Sequence, residues 1–174
     1  MLVQQVRLAI SPFCAVAVFM VAAIHPSPSS AQIVALGASN VQGYGVSSSE
    51  SFPAQLEAML KAKGKSYSVA NAGISGDTTA GIISRLNSDV PQGTRIVVLA
   101  IGGRNDVMRG GSVGQARSNF TQITSQLSAR GIRVINAMPY VRAALQKGMS
   151  QSDGIHLTAE GHRWVASQVA AQIR

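Results

Sequence analysis

An acid and an imidazole stand three positions apart near the C-terminal end of the chain, Asp153 and His156 in Ser-Asp-Gly-Ile-His-Leu over 152–157. A carboxylate at one ring nitrogen of a histidine fixes its tautomer. The other nitrogen is then free to take a proton, which makes a general base near neutral pH. The same spacing admits a second reading of equal weight: Asp-Gly as a turn, with Asp153 as a capping acid ahead of a helix that Thr158 would cap. The chain has three histidines. His25 sits in an N-terminal apolar segment, and His162 falls inside the last predicted helix, where a surface or packing role is expected.

Such a base needs a nucleophile. Ser39 follows an apolar run in Gly-Ala-Ser, flanked by small residues that let a substrate approach. The plainer role for that serine is a helix N-cap or a turn. Ser75, in Gly-Ile-Ser-Gly, competes with it on local sequence. Neither stretch is a Gly-x-Ser-x-Gly elbow, because Val41 and Asp77 stand where the last glycine would be. Acyl transfer also needs donors aimed at a developing oxyanion. Gly76 could offer an unobstructed backbone N–H and Asn105 a side-chain amide; a turn glycine and an Asn-Asp turn are the plainer alternatives.

These residues lie in loops between elements that alternate in type. Short apolar runs at 33–37, 67–73, 95–103 and 132–139 predict strands. Helical periodicity predicts helices over 51–64, 78–87, 112–131 and 158–174. In the third of these, Val113, Ala116, Phe120, Ile123 and Leu127 would share a face. The stretch 141–149 reads as a short helix. Alternating strands and helices imply a parallel sheet covered on both faces, with the ligand site beyond the C-terminal ends of the strands. Ser39, Gly76, Asn105 and the Asp153–His156 pair all fall in the loops that follow those ends.

Composition narrows the function classes. The 174 residues suit one domain, and a hydrophobic content of 46% with 13% charged residues argues for a packed core. The net charge of +8 is scattered and carries no interleaved aromatics, so nucleic-acid binding is not expected. Residues 1–31 read as an export signal: Arg7, an apolar run from Leu8 to Ile24, then a Pro/Ser-rich stretch with Ser29 and Ala31 before a cut at Gln32. An uncleaved anchor is the alternative. The run has 17 residues, at the low edge for spanning a bilayer. The single cysteine, Cys14, lies in this segment. The domain at 32–174 therefore has no disulfide, thiol nucleophile or cysteine metal site. No stable membrane anchor is expected after cleavage.

Taken in order, the four loops resemble those of the SGNH, or GDSL-type, hydrolases. Gly-Ala-Ser-Asn-Val-Gln-Gly-Tyr-Gly (37–45) is similar to the first block, Asn-Ala-Gly-Ile-Ser-Gly-Asp (71–77) to the second, Gly103-Arg104-Asn105-Asp106 to the third, and Asp153-x-x-His156 to the last. The resemblance implies a flavodoxin-like three-layer α/β/α sandwich with a parallel sheet of four or five strands. It implies Ser39 as nucleophile, His156 as base and Asp153 as its orienting acid. Ser39, Gly76 and Asn105 would form the oxyanion hole. The implied activity is that of an exported serine esterase of periplasmic or secreted location in a bacterium, similar to the thioesterase/lysophospholipase/arylesterase branch. It would act on a small acyl or aryl ester or thioester through an acyl-enzyme, with no metal or organic cofactor. A carbohydrate O-acetyl esterase is the nearest alternative, and a non-catalytic flavodoxin-like binding module the alternative of another class. Two departures stand out: Ala38 replaces the acid usual in the first block, and little chain separates Pro139 from Asp153 where a fifth strand usually runs.

Overall fold

The computed structural model describes residues 32–174; the expected export signal at 1–31 lies outside them. The sheet has four parallel strands: β1 (Ile33–Gly37), β2 (Val69–Gly73), β3 (Ile96–Ala100) and β4 (Arg133–Asn136), ordered β2-β1-β3-β4. No fifth strand occurs among the described residues. Seven α-helices accompany the sheet there: α1 (Ser39–Gln42), α2 (Phe52–Ala62), α3 (Thr79–Asp89), α4 (Arg104–Met108), α5 (Val113–Ala129), α6 (Met138–Gln146) and α7 (Ala159–Gln172).

Side-chain alternation along β1 and β3 divides the core. Ile33, Ala35, Ile96 and Val98 pack with Phe52, Leu56 and Leu60 of α2 and with Val165, Ala166 and Val169 of α7. Val34, Leu36, Val97 and Leu99 pack on the other face with Ile82 and Leu86 of α3 and with Ile123 and Leu127 of α5. Both faces of β1 and β3 are therefore apolar, which is why these strands read as unbroken hydrophobic runs. Truncating a fully buried leucine here, such as Leu56, should cost about 2–5 kcal/mol.

Several boundaries differ from the sequence expectation for local reasons. The run at 132–139 leaves the sheet at Asn136, whose Oδ1 accepts the Met138 N–H at 3.0 Å. Pro139 then sits in the first turn of α6, where its missing N–H costs nothing. The helix expected over 141–149 thus begins earlier and ends at Gln146. On α5, Val113 does not join the buried face; it is exposed, and Asn119 is buried instead because its amide has partners there. The Asn-Asp turn weighed as the plainer alternative at 105–106 is instead the short helix α4, with Asp106 buried. Thr158 does cap α7, accepting the Gly161 N–H at 3.2 Å.

The order β2-β1-β3-β4 makes the chain leave β1 toward one edge and return on its other side. A crevice forms where the connections after β1 and β3 part, at the C-terminal ends of the strands.

Candidate active site

That crevice is a cavity of about 460 Å³. Ser39, Ser75, Gly76, Asn105 and His156 line it, on a floor of Ala100 to Gly103 and against an apolar wall of Met138, Val141 and Leu145. The four loops singled out by sequence thus meet at one place.

Ser39 is the first residue of α1, immediately beyond β1, and is half-buried. Close approach sets its position: a Cβ on Gly37 would lie 2.3 Å from the Ala100 carbonyl oxygen. The α1 turn is held by the Ala38 carbonyl, which accepts from the Val41 and Gln42 N–H groups at 2.9 and 3.0 Å. Ala38 itself is buried in the apolar cluster of the α3/α5 face. Ser75 is exposed, and its N–H donates to Gln42 Oε1 at 2.7 Å.

Asp153 and His156 form the pair that their spacing allowed. His156 Nδ1 lies 2.6 Å from Asp153 Oδ2, while Oδ1 accepts the Ile155 and His156 N–H groups at 2.8 and 3.0 Å. One carboxylate therefore does both jobs weighed from sequence: it shapes the turn with one oxygen and holds the imidazole with the other. The His156 N–H, the imidazole and the Ile155 N–H all favour the ionised form, which holds the Asp153 carboxyl well below the usual carboxylate range. Nδ1 engaged by a carboxylate leaves Nε2 as the free nitrogen. The Tyr44 ring lies against the imidazole, centroids 4.5 Å apart.

Elsewhere in the same cavity lining, the backbone N–H groups of Ser39 and Gly76 have no protein acceptor among the described residues. Gly76 adopts φ +77°, a conformation that a side chain would strain, so glycine suits the turn that presents this N–H. Asn105 Nδ2 donates to the Asp77 carbonyl at 2.7 Å, and its second amide hydrogen is available.

The second and third loops are tied by a chain of hydrogen bonds through buried Thr79, Asp106 and Asn119. Gln115 Nε2 donates to Asn119 Oδ1, Asn119 Nδ2 to Thr79 Oγ1, and Thr79 Oγ1 and N–H to the Asp106 carboxylate. Asp106 thus receives the first N–H of α3 and fixes the loop holding Gly76 against the one holding Asn105. Arg85 does similar work across strand ends: Nη1 donates to the Ala72 carbonyl and Nη2 to that of Gly37, and Nε pairs with Asp77 at 2.8 Å.

Sequence reasoning missed a further residue, Asn40. Its Oδ1 accepts the Leu157 N–H at 2.9 Å and its Nδ2 donates to the Ile155 carbonyl at 3.1 Å. One side chain, next to Ser39, grips the backbone on both sides of His156. Nothing in the local sequence links positions more than a hundred residues apart. Gln151 adds a bridge from the His156 loop to the Tyr44 carbonyl at 2.8 Å. His162 is fully buried behind the site, accepting the Phe52 N–H at 3.2 Å; burial pushes its pKa down to about 4. No cluster of three or more His, Cys, Asp or Glu side chains suited to a metal ion occurs among the described residues.

An α/β/α sandwich with its serine, histidine and amide-bearing loops at the switch point defines a class of hydrolase. Residues 35–151 match the family model of the GDSL-like lipase/acylhydrolase family, and the chain belongs to that family. It is 33% identical to an esterase, TesA, of Pseudomonas aeruginosa over 59% of this chain and 51% of that protein. It is 32% identical to an arylesterase of Vibrio mimicus over 73% of this chain and 62% of that one. These matches span about half to three fifths of the relatives' length. A crystal structure of TesA superposes with a TM-score of 0.67 at 26% identity, covering 82% of this chain and 97% of that one.

Proposed function

We propose that this protein is a serine esterase that hydrolyses small carboxylic esters through an acyl-enzyme. Ser39 Oγ attacks the ester carbonyl as His156 Nε2 takes its proton. The resulting oxyanion accepts hydrogen bonds from the Ser39 and Gly76 N–H groups and the Asn105 amide. Collapse breaks the bond to the leaving oxygen, which receives the proton from His156. Water then attacks the acyl-enzyme by the same route, His156 again moving the proton, and releases the acid and free Ser39. Asp153 stays ionised, orients the ring and stabilises the imidazolium.

The observation that supports this reading best is the 2.6 Å Asp153–His156 contact on a histidine that shares a cavity with Ser39. A non-catalytic binding module gives no reason for that pair. Met138, Val141 and Leu145 offer the bound ester an apolar wall, which favours an acyl or aryl arm over an acetylated sugar. Residues 1–31 as an export signal belong to the same proposal.

Hydrolysis of p-nitrophenyl butyrate by Ser39→Ala should fall by at least about 10³-fold with the fold intact. A fluorophosphonate should add its mass at Ser39. Unchanged turnover, or labelling at Ser75, would remove Ser39 from the role.

A further inference from the structure

A second cavity of about 260 Å³ adjoins the one that holds Ser39 and His156. The two share a floor, Ile101 to Gly103, and the Met138 side chain. A Cβ at Gly102 would stand 3.2 Å from Met138 Cε, and one at Gly103 only 2.7 Å from Ala116 Cβ. Glycine at both positions lets α5 and α6 close in without filling the space between the cavities.

The walls of this second space carry charge of one sign. Arg117 comes from α5 and Arg142 from α6, two helices that lie on opposite faces of the sheet. Arg104 lines the first cavity, and Arg109 Nη2 lies 3.2 Å from the Cβ position of Gly76. No aspartate or glutamate lines either cavity. The ion pairs among the described residues involve Arg85 and His156, so Arg117 and Arg142 have no carboxylate of their own. A concave site walled by one sign of charge concentrates the opposite sign, and a guanidinium offers a planar set of donors to carboxylate or phosphate oxygens.

We propose that the second cavity is an anion subsite, in which Arg117 and Arg142 hold a carboxylate or phosphate on one arm of an ester whose carbonyl lies at Ser39. The substrate class is then the anionic esters, with the uncharged arm on the Val141–Leu145 wall. This rests on the esterase reading above.

The test uses charged and neutral pairs that differ in where the anion sits: mono-p-nitrophenyl glutarate against p-nitrophenyl pentanoate, 4-acetoxybenzoate against phenyl acetate, and a 1-acylglycerol 3-phosphate against the 1-acylglycerol. The readout is the charged-to-neutral ratio of kcat/KM. In the Arg117→Gln/Arg142→Gln double variant this ratio should fall about ten-fold for at least one pair, and high salt should lower it in the wild type. Arg95→Gln removes the same charge at the opposite end of the sheet and should leave the ratio within two-fold. Which pair responds identifies the arm and the anion. Equal ratios in the wild type and the double variant for all three pairs would overturn the subsite, as would an equal fall in Arg95→Gln.

Binding separates this proposal from the esterase reading. In Ser39→Ala, calorimetry with the same three pairs should give at least one charged ester an affinity about ten-fold above that of its neutral partner, and adding the two arginine substitutions should abolish the difference. No hydrolysis by the wild type would refute the esterase while this binding difference could still stand. Equal affinity for the charged and the neutral ester of every pair in Ser39→Ala would refute the subsite.

Discussion

Asn40 should be a positioning residue whose loss slows turnover without weakening substrate binding. Replacing it with alanine removes two hydrogen bonds, the one from Leu157 N–H and the one to the Ile155 carbonyl. Each neutral bond contributes about 0.5–1.5 kcal/mol net, and a buried N–H left without a partner costs about 1–3 kcal/mol. Leu157 is fully buried, so its N–H has little access to water, whereas the half-buried Ile155 carbonyl can recover some hydration. Relief comes from letting the His156 loop drift. With about 1.5–3 kcal/mol withdrawn from the hold on the His156 loop, kcat in the proposed mechanism should fall about ten- to a hundred-fold. The assay is steady-state hydrolysis of p-nitrophenyl butyrate, with thermal unfolding followed alongside. KM should stay within about three-fold. Asn40→Asp keeps an acceptor for Leu157 but turns a second acceptor toward the Ile155 carbonyl, so it should recover only part of the loss. A kcat within two-fold of wild type in Asn40→Ala would refute the reasoning. A rise in KM alone would mean that Asn40 touches substrate rather than holding the loop.

Three other changes test the same framework. Asp153→Asn should lower kcat by about 10³–10⁴-fold in steady-state kinetics, with little change in melting temperature because the asparagine Oδ1 can still accept the Ile155 and His156 N–H groups. Asp106→Ala leaves the Thr79 N–H and hydroxyl buried without their acceptor; urea unfolding should show a loss of about 2–4 kcal/mol, and kcat should drop as Gly76 and Asn105 lose register. His162 has a folded pKa of about 4 against an ordinary 6.5. Above pH 6.5 neither state takes the proton, and below it the unfolded chain does so first. Stability should therefore fall by up to about 3 kcal/mol between pH 6.5 and 4, a slope that urea titrations should find reduced in His162→Gln.

Most of the fold was legible because its strands and helices announce themselves locally. Val34, Leu36, Val97 and Leu99 pack on one face while Ile33, Ala35, Ile96 and Val98 pack on the other, and strands buried on both sides can only read as continuous apolar runs. Boundaries were less legible where a single polar contact decides them, as when Asn136 Oδ1 takes the Met138 N–H and turns strand into helix. Val113 failed for a related reason: periodicity assigns a face but cannot know that Asn119 will be buried by a hydrogen bond to Thr79. In the site, loops at strand ends could be located by element order alone, and the residues they carry do share a cavity. The connections between loops were invisible. Asn40, Arg85 and Asp106 act on backbone or side chains far along the chain, and no spacing rule reports such contacts.

Those connections explain how a short run from Pro139 can place His156 without a fifth strand. A strand would hold the loop by a ladder of backbone bonds to the sheet. Here α6 carries the chain back over the core through Val141 and Ala144, and a single antiparallel bridge, Ser150 to Leu157, starts the loop. Gln151 N–H then donates to the His156 carbonyl at 2.7 Å and its side chain reaches Tyr44, while Thr158 N–H closes on the Met149 carbonyl at 3.0 Å. Asn40 supplies the link to β1 that a neighbouring strand would have made. The loop is thus pinned to the serine-bearing turn by side chains rather than by the sheet, so its geometry depends on Asn40 and Gln151 together. Losing both should cost more than the sum of the single losses, because each alone leaves the other to keep the loop near its place; simple additivity of the two in kcat would argue against a shared clamp.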